Sequence, residues 1–154
     1  MIRGEGEGWV AGVSAQDVFD FVLDPLQYTK ADTKIVWVTR LASTEDGMIA
    51  REDGKFLGLF PGSVITRYRW RMPHRIDATL EHGVPAAMHA WFDIEDRPGG
   101  AWFRHVETIA MPAPLGRLWD TVAGGWFARS VRREVEELVR LLSAGERGRG
   151  VAGL

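Results

Sequence analysis

The only long helical pattern in this chain, from Leu115 to Leu142, comes last, after a run of short alternating stretches that read as strands. That order limits what the chain can fold into. One helix cannot cover a broad antiparallel sheet as a flat layer would. Many strands with a single late helix therefore imply an α+β helix-grip form, a curved antiparallel sheet of about seven strands wrapped around the helix with an internal space between them. Any site that the sequence reveals is expected in that space. At 154 residues a single domain is expected, spanning 1–143 and followed by a flexible, solvated tail over 144–154.

Ile2 to Gly12 reads as a first strand whose Gly/Glu alternation suits a sheet edge or rim. Ser14 to Asp17 then form a variant capping box, and Val18, Phe21 and Val22 follow at helical spacing until Asp24-Pro25 ends the helix. Leu26 to Asp32 can form a second short helical piece. Thr33 to Leu41 is strand-like with apolar residues on both faces, and Ser43 to Gly47 is a turn. Met48 to Glu52 and Lys55 to Phe60 are short strands broken at Asp53-Gly54, and Pro61-Gly62 is a second break.

Two hairpins follow with definite registers. Val64 to Arg71 alternates, and a partner from Arg75 to Leu80 places Trp70 opposite Ile76, Tyr68 opposite Ala78, Thr66 opposite Leu80 and Arg69 opposite Asp77 on the wet side. Ala87 to Asp96 turns at Arg97 to Gly100 and returns from Ala101 to Ala110. That turn sets Ile94 by Phe103, Met88 by Ile109 and Asp93 by Arg104. In the last helix Leu118, Trp119, Val122, Trp126, Phe127, Val131, Val135, Leu138 and Leu142 form an apolar stripe, opposite a face carrying Arg129, Arg132, Arg133, Glu136, Glu137 and Arg140. Gly124-Gly125 in its middle costs roughly 2 kcal/mol relative to alanines, which implies a close approach or a bend there.

On the apolar face of the last hairpin stand His105 and Glu107, beside Phe92 and Ala90. An ionised carboxylate does not belong on a dry face unless it is paired or wet. The pair is therefore the candidate polar part of a cavity, offering hydrogen bonds to a ligand or moving a proton; the bland alternative places it at the cavity mouth or turns it to solvent through a bulge. Metal binding is not expected, because the histidines lack i, i+4 pairing. No phosphate loop, nucleophile elbow or dinucleotide fingerprint is present. A formal charge of −2 gives no reason to expect nucleic acid, and the absence of cysteine fits a reducing compartment. The first residues hold no apolar core of signal-peptide length, and no stretch approaches the ~20 apolar residues of a membrane span. A cytoplasmic protein without stable membrane insertion is the expectation, its oligomeric state, a homodimer included, left open.

The segment Val13-Ser14-Ala15-Gln16-Asp17-Val18-Phe19-Asp20-Phe21-Val22-Leu23-Asp24-Pro25-Leu26-Gln27-Tyr28 resembles the opening of the polyketide cyclase/dehydrase and lipid-transport family of the START-like (SRPBCC) superfamily. By element order the likeness spans Ile2 to Ser143. Many relatives carry a Trp shortly after the aromatic of the second helix, where this chain has Lys30-Ala31-Asp32. The resemblance implies a deep apolar cavity without cofactor or metal, in proteins that include aromatase/cyclases and carriers of hydrophobic molecules. Three functions follow as expectations. The first is binding of a hydrophobic, ring-bearing or lipid-like molecule by Thr66, Tyr68, Trp70, Met88, Phe92, Phe103, His105, Glu107, Trp119, Val122 and Trp126, with Phe127 adding area. The second is a cyclase or dehydratase in which Glu107 or His105 transfers protons and Tyr68 or Thr66 orients a carbonyl. The third is an interaction module docking a partner through its arginine-rich helix face.

Overall fold

The computed structural model describes residues 1–56 and 60–153. Its elements are β1 (Ile2–Ala11), α1 (Ala15–Leu23), α2 (Pro25–Ala31), β2 (Ile35–Thr44), β3 (Gly47–Phe56), β4 (Phe60–Arg71), β5 (Arg75–His82), β6 (Ala87–Arg97), β7 (Gly100–Ala110) and α3 (Leu115–Ser143), with a single 3-10 turn at Gly150–Gly153. All seven strands pair antiparallel in the order β1-β7-β6-β5-β4-β3-β2, a curved sheet that grips α3 on its concave side.

Both expected hairpin registers are present, Trp70 facing Ile76 in one and Ile94 facing Phe103 in the other. Alternation fixes them because a slip of one residue would turn each buried row outward. The expected charge pairs do sit opposite one another, but the ions choose other partners. Arg75 takes both Asp77 at 2.6 Å and Asp93 at 2.5 Å, and Arg104 reaches Glu5 at 3.2 Å. Arg75 meets Asp93 straight across and Asp77 two residues along its own strand, while Arg104 reaches Glu5 diagonally.

α1 starts at the expected capping box, with Asp17 N–H donating to Ser14 Oγ at 3.1 Å and Ser14 N–H to Asp17 Oδ2 at 2.8 Å. It lays Val18, Phe19, Phe21 and Val22 into the core and so closes one end of the concave face. The Gly/Glu alternation of β1 does mark a sheet edge, and it has a second purpose. A Cβ at Gly4, Gly6 or Gly8 would come within 2.6, 3.0 and 2.7 Å of Val131, Val135 and Val139. Three inward glycines thus let α3 seat its valine row, one residue per turn, against the edge strand.

Four expectations differ from the structure. Asp53-Gly54 and Pro61-Gly62 do not break the chain; Gly54 and Gly62 pair inside β3 and β4. A Cβ on Gly54 would strike the carbonyl of Lys34, to which Lys55 N–H donates at 2.8 Å, so this glycine admits a crossing backbone rather than a turn. Part of the strand expected from Lys55 to Phe60 lies at residues 57–59, outside the described residues. Gly124-Gly125 makes no tight contact either: Cβ atoms there would meet Ile2 at 3.6 Å and Arg129 at 3.4 Å, and α3 continues through them. Val36 and Trp37, expected within a strand apolar on both faces, are exposed on the edge strand β2.

The last difference is the chain after α3, which lies against α1. Arg149 donates from its backbone N–H to Asp24 Oδ2 at 2.9 Å, Val151 packs on the main core, and a Cβ on Gly148 would collide with the carbonyl of Asp20. Among the described residues no helix is long and apolar enough to cross a membrane.

Candidate functional site

The inward row of β7 reads Ala101, Phe103, His105, Glu107, Ile109, and the two polar members fall where no apolar neighbour satisfies them. Other elements complete the set. Lys34, between α2 and β2, sends its ammonium to Glu107 Oε2 at 2.6 Å and to Glu134 Oε2 of α3 at 3.1 Å, with Asp32 Oδ1 at 3.8 Å. Glu134 Oε1 also accepts from the Tyr28 hydroxyl of α2 and lies 3.2 Å from His105 Nε2. Across the sheet, Glu52 of β3 accepts from Thr66 Oγ1 at 3.0 Å and from the Tyr68 hydroxyl, both on β4. Asp32, Glu52, His105, Glu107 and Glu134 are all buried.

Mutual contacts set the charge states. Burial opposes the charge on Lys34, yet Asp32, Glu107 and Glu134 together hold its pKa well above the usual lysine value. Burial would raise Glu134, but Lys34 and His105 outweigh it and hold the carboxyl well below its ordinary range. The imidazole of His105 is likewise penalised by burial and raised by Glu134. Its Nδ1 lies 3.0 Å from the Trp91 carbonyl, which can only accept, so Nδ1 carries a proton, and the ring is stacked on Phe92 with centroids 4.0 Å apart. Asp32 goes the other way: burial pushes it up to about 7, Lys34 resisting and Glu134 and Glu107 assisting. Burial also raises Glu52, against the pull of Tyr68 and Thr66.

Two small chambers adjoin this polar belt. The larger, about 130 Å³, has an apolar wall that includes Val64, Val84, Met88, Ile109, Trp126 and Phe127. The smaller, about 60 Å³, lies among Tyr28, Tyr68, Ile76, Phe92 and His105. Asp32, Ile35, Glu52, Met88 and Glu107 line both. On its outer side the larger chamber shares Asp32, Lys34, Lys55 and Trp126 with a surface groove of about 790 Å³ that also includes Arg129 and Arg133.

Of the residues expected at the site, Tyr68, Met88, Phe92, His105, Glu107 and Trp126 line a chamber, as does Phe127. Thr66 is buried behind Glu52 and touches neither chamber. Trp70 and Phe103 belong to the closed apolar core, and Trp119 packs beside the Ile2, Ile109 and Phe127 cluster. Val122 is 72% exposed and Leu118 65%, so the first turns of α3 show the outer part of the expected stripe to solvent.

Sequence reasoning passed over Lys34, Asp32, Glu52, Glu134 and Tyr28. One of them had a readable signal: Glu134 sits between Val131 and Val135 in the buried stripe, three residues after one and one before the other, where a carboxylate needs a partner. Atoms of His105, Glu107 and Glu134 come within 4.8 Å of one another, a spacing that could hold a metal ion. The Lys34 ammonium already serves as cation to the two carboxylates.

No family model and no curated protein matches the sequence. Solved structures do. A protein of Thermus thermophilus superposes with a TM-score of 0.78 at 13% identity, over 94% of this chain and 99% of that one. A START superfamily protein from Mycobacterium smegmatis gives 0.67 at 19% identity, over 93% and 95% of the two chains. The Zhui aromatase/cyclase of a Streptomyces species gives 0.66 at 13%, over 94% and 98%. The chain therefore has the START-like helix-grip fold.

Proposed function

We propose that this protein binds a small hydrophobic molecule between the sheet and α3, its apolar body in the larger chamber and its polar end at the charged belt. The observation that carries this reading is the shared wall of the two chambers, where Glu107 and Asp32 stand beside the apolar Met88 and Ile35. A cavity that joins oily walls to a few convergent polar groups is the usual form of a small-molecule site. Its size limits the occupant. An apolar cavity of about 150 Å³ accommodates benzene, so a single ring, rather than a long acyl chain or a fused polycycle, matches the larger chamber at 130 Å³.

Protein purified without denaturation and weighed by native mass spectrometry is expected to carry a small molecule, and Met88→Trp, which fills the common wall, to lose it. A bare mass, together with no thermal stabilisation by neutral single-ring probes, would sink the reading.

A second reading is favoured by Asp32, whose carboxyl burial pushes up to about 7. A group titrating near neutrality on a cavity wall is suited to general acid–base work, and here it faces Glu107 across the Lys34 ammonium. On this reading the protein is a cyclase or dehydratase on a polyketide-like substrate, with Glu107 as the proton-transferring group. His105 is less available for that role, since Nδ1 is held by the Trp91 carbonyl and Nε2 faces Glu134. Glu107→Gln separates the two readings. It would cost a catalyst roughly 10²–10⁴ in rate.

A further inference from the structure

The chambers and the belt between them hold more acid than base. Asp32, Glu52, Glu107 and Glu134 contribute four carboxyls, against the ammonium of Lys34, that of the exposed Lys55 where the larger chamber meets the surface groove, and the imidazole of His105. Even with Lys55 and His105 charged, full ionisation leaves an excess of one negative charge. Hydrogen bonds show where that excess is unanswered. Lys34 N–H and Nζ reach only Oδ1 of Asp32, and Lys34 Nζ reaches only Oε2 of Glu107. Asp32 Oδ2 and Glu107 Oε1 accept nothing from any described residue. Both side chains are more than nine-tenths buried, at 6% and 9% exposure, and both line the two chambers. Glu52 is not in this position, because Thr66 and Tyr68 occupy both of its oxygens.

Asp32, pushed up to about 7, is mostly ionised at pH 7.5, and an ionised carboxylate oxygen can only accept, so a partner must donate. A hydroxyl would meet one oxygen and leave the charge excess unchanged. A carboxylate or phosphate would add to the excess. A protonated amine supplies up to three N–H donors and a positive charge at once. Asp32 and Glu107 flank the same Lys34 ammonium, at 3.8 and 2.6 Å, and both line the two chambers, so a head group placed there meets both acids. Lys34 and Lys55 repel such a newcomer, yet the four carboxyls outnumber the three cations.

Resting on the proposed function, we infer that the ligand is a compact cationic amine, a primary ammonium on a single-ring apolar body, received by Asp32 and Glu107 with the ring against Met88, Ile109 and Trp126. Fatty acids and other anionic lipids are thereby excluded from this cavity.

The test is isothermal titration calorimetry of the whole chain at pH 7.5 with three probes of one shape: benzylamine, benzyl alcohol and benzoate. Benzylamine is expected to bind about tenfold or more tighter than benzyl alcohol, as when a charge-assisted hydrogen bond replaces a neutral one, and benzoate to give no heat of binding. In Glu107→Gln, and separately in Asp32→Asn, the amine-to-alcohol ratio is expected to fall to within about threefold. If either variant fails to fold, the ratio measured on the unmodified chain decides alone. Benzyl alcohol binding as tightly as the amine, or benzoate binding best, would overturn the cationic ligand and leave the single-ring chamber standing. Silence from all three probes would overturn both.

Discussion

The space between sheet and α3 is built in two different ways at its two ends. At one end α1 inserts, and Phe19 and Phe21 meet Phe103, Ile94, Leu138 and Leu142 in a fully buried cluster. At the other end no helix inserts. Ile2, Ile109, Phe127 and Val131 form a smaller cluster, edged by the partly buried Met88, Trp119 and Trp126, and the 130 Å³ chamber opens beside it. His105, Glu107 and Glu134 stand between the two. The same strand and the same helix line both ends, so the difference comes from what α1 adds and from what the charged belt prevents. A dry cluster can relax around a void, whereas a belt of paired ions can collapse only by breaking its pairs or burying them unsatisfied.

Truncation at the two ends should therefore cost different amounts. Phe103→Ala is expected to destabilise by about 3–5 kcal/mol, the usual range for removing a fully buried phenyl ring. Trp126→Ala, on the wall of a chamber that is already partly empty, should cost about 1 kcal/mol or less. Urea denaturation of both variants measures the contrast, and equal losses would mean that the open end is packed as tightly as the closed one.

The belt itself comes next. Glu134→Ala removes the carboxylate that Tyr28, Lys34 and His105 share, which leaves two buried cations short of a partner. A loss of about 3 kcal/mol is expected, at the lower end of the range for breaking a buried pair because Lys34 keeps Glu107. A change below about 1 kcal/mol would show that the belt is hydrated and that its charges cost little.

Much of this contrast was legible in the sequence, though not its centre. The hairpin registers and the inward placement of His105 and Glu107 follow from a period of two, and so does the row that joins Phe103 to Ile109. The long helix and its apolar stripe follow from a period near 3.6. Lys34, Asp32 and Glu52 did not follow from either. Lys34 and Asp32 lie between elements, where periodicity has no meaning, and Glu52 stands next to an Asp-Gly pair that reads as a turn. That pair is a strand interior, held between Trp37 and Ile35 of β2 and Ser63 and Gly62 of β4. The second purpose of the β1 glycines was hidden for a related reason: a missing side chain carries no hydropathy, so the valines of α3 that need the space cannot be seen from the strand alone.

Those glycines offer a smaller test. Gly8→Ala places a methyl group within 2.7 Å of both Val139 and the Phe103 ring, at the closed end. Overpacking of this kind typically costs about 1–3 kcal/mol. Gly124→Ala, in the middle of α3 with nothing nearer than 3.6 Å, should instead stabilise, by up to about 1 kcal/mol from helix propensity. A stabilised Gly8→Ala would show that α3 does not press on β1 as described.

The effect most specific to the belt is a slope of stability with pH. Asp32 titrates near 7 in the folded chain against 3.8 for an ordinary aspartate, so between these values the folded chain holds a proton that the unfolded chain has lost. Its contribution to stability is complete below about pH 4 and disappears as the pH climbs to 7. The groups facing it are Lys34, Glu134 and Glu107. Glu134, held low, contributes fully above the ordinary glutamate range and loses its contribution only in acid. His105, raised, adds a loss on the alkaline side of 6.5. From pH 5 to 7 Asp32 therefore sets a falling slope, at most about 1.4 kcal/mol per pH unit, to which Glu52, also raised by burial, adds in the same direction. Asp32→Asn keeps the side-chain oxygen that Lys34 N–H uses and removes the proton, so it should flatten that slope in urea midpoints measured at half-unit intervals. A variant that tracks the parent across the window would place the titrating proton elsewhere in the belt. A parent whose stability rises from pH 5 to 7 would mean that Asp32 is ionised and solvated, and that the open end is wet through to its wall.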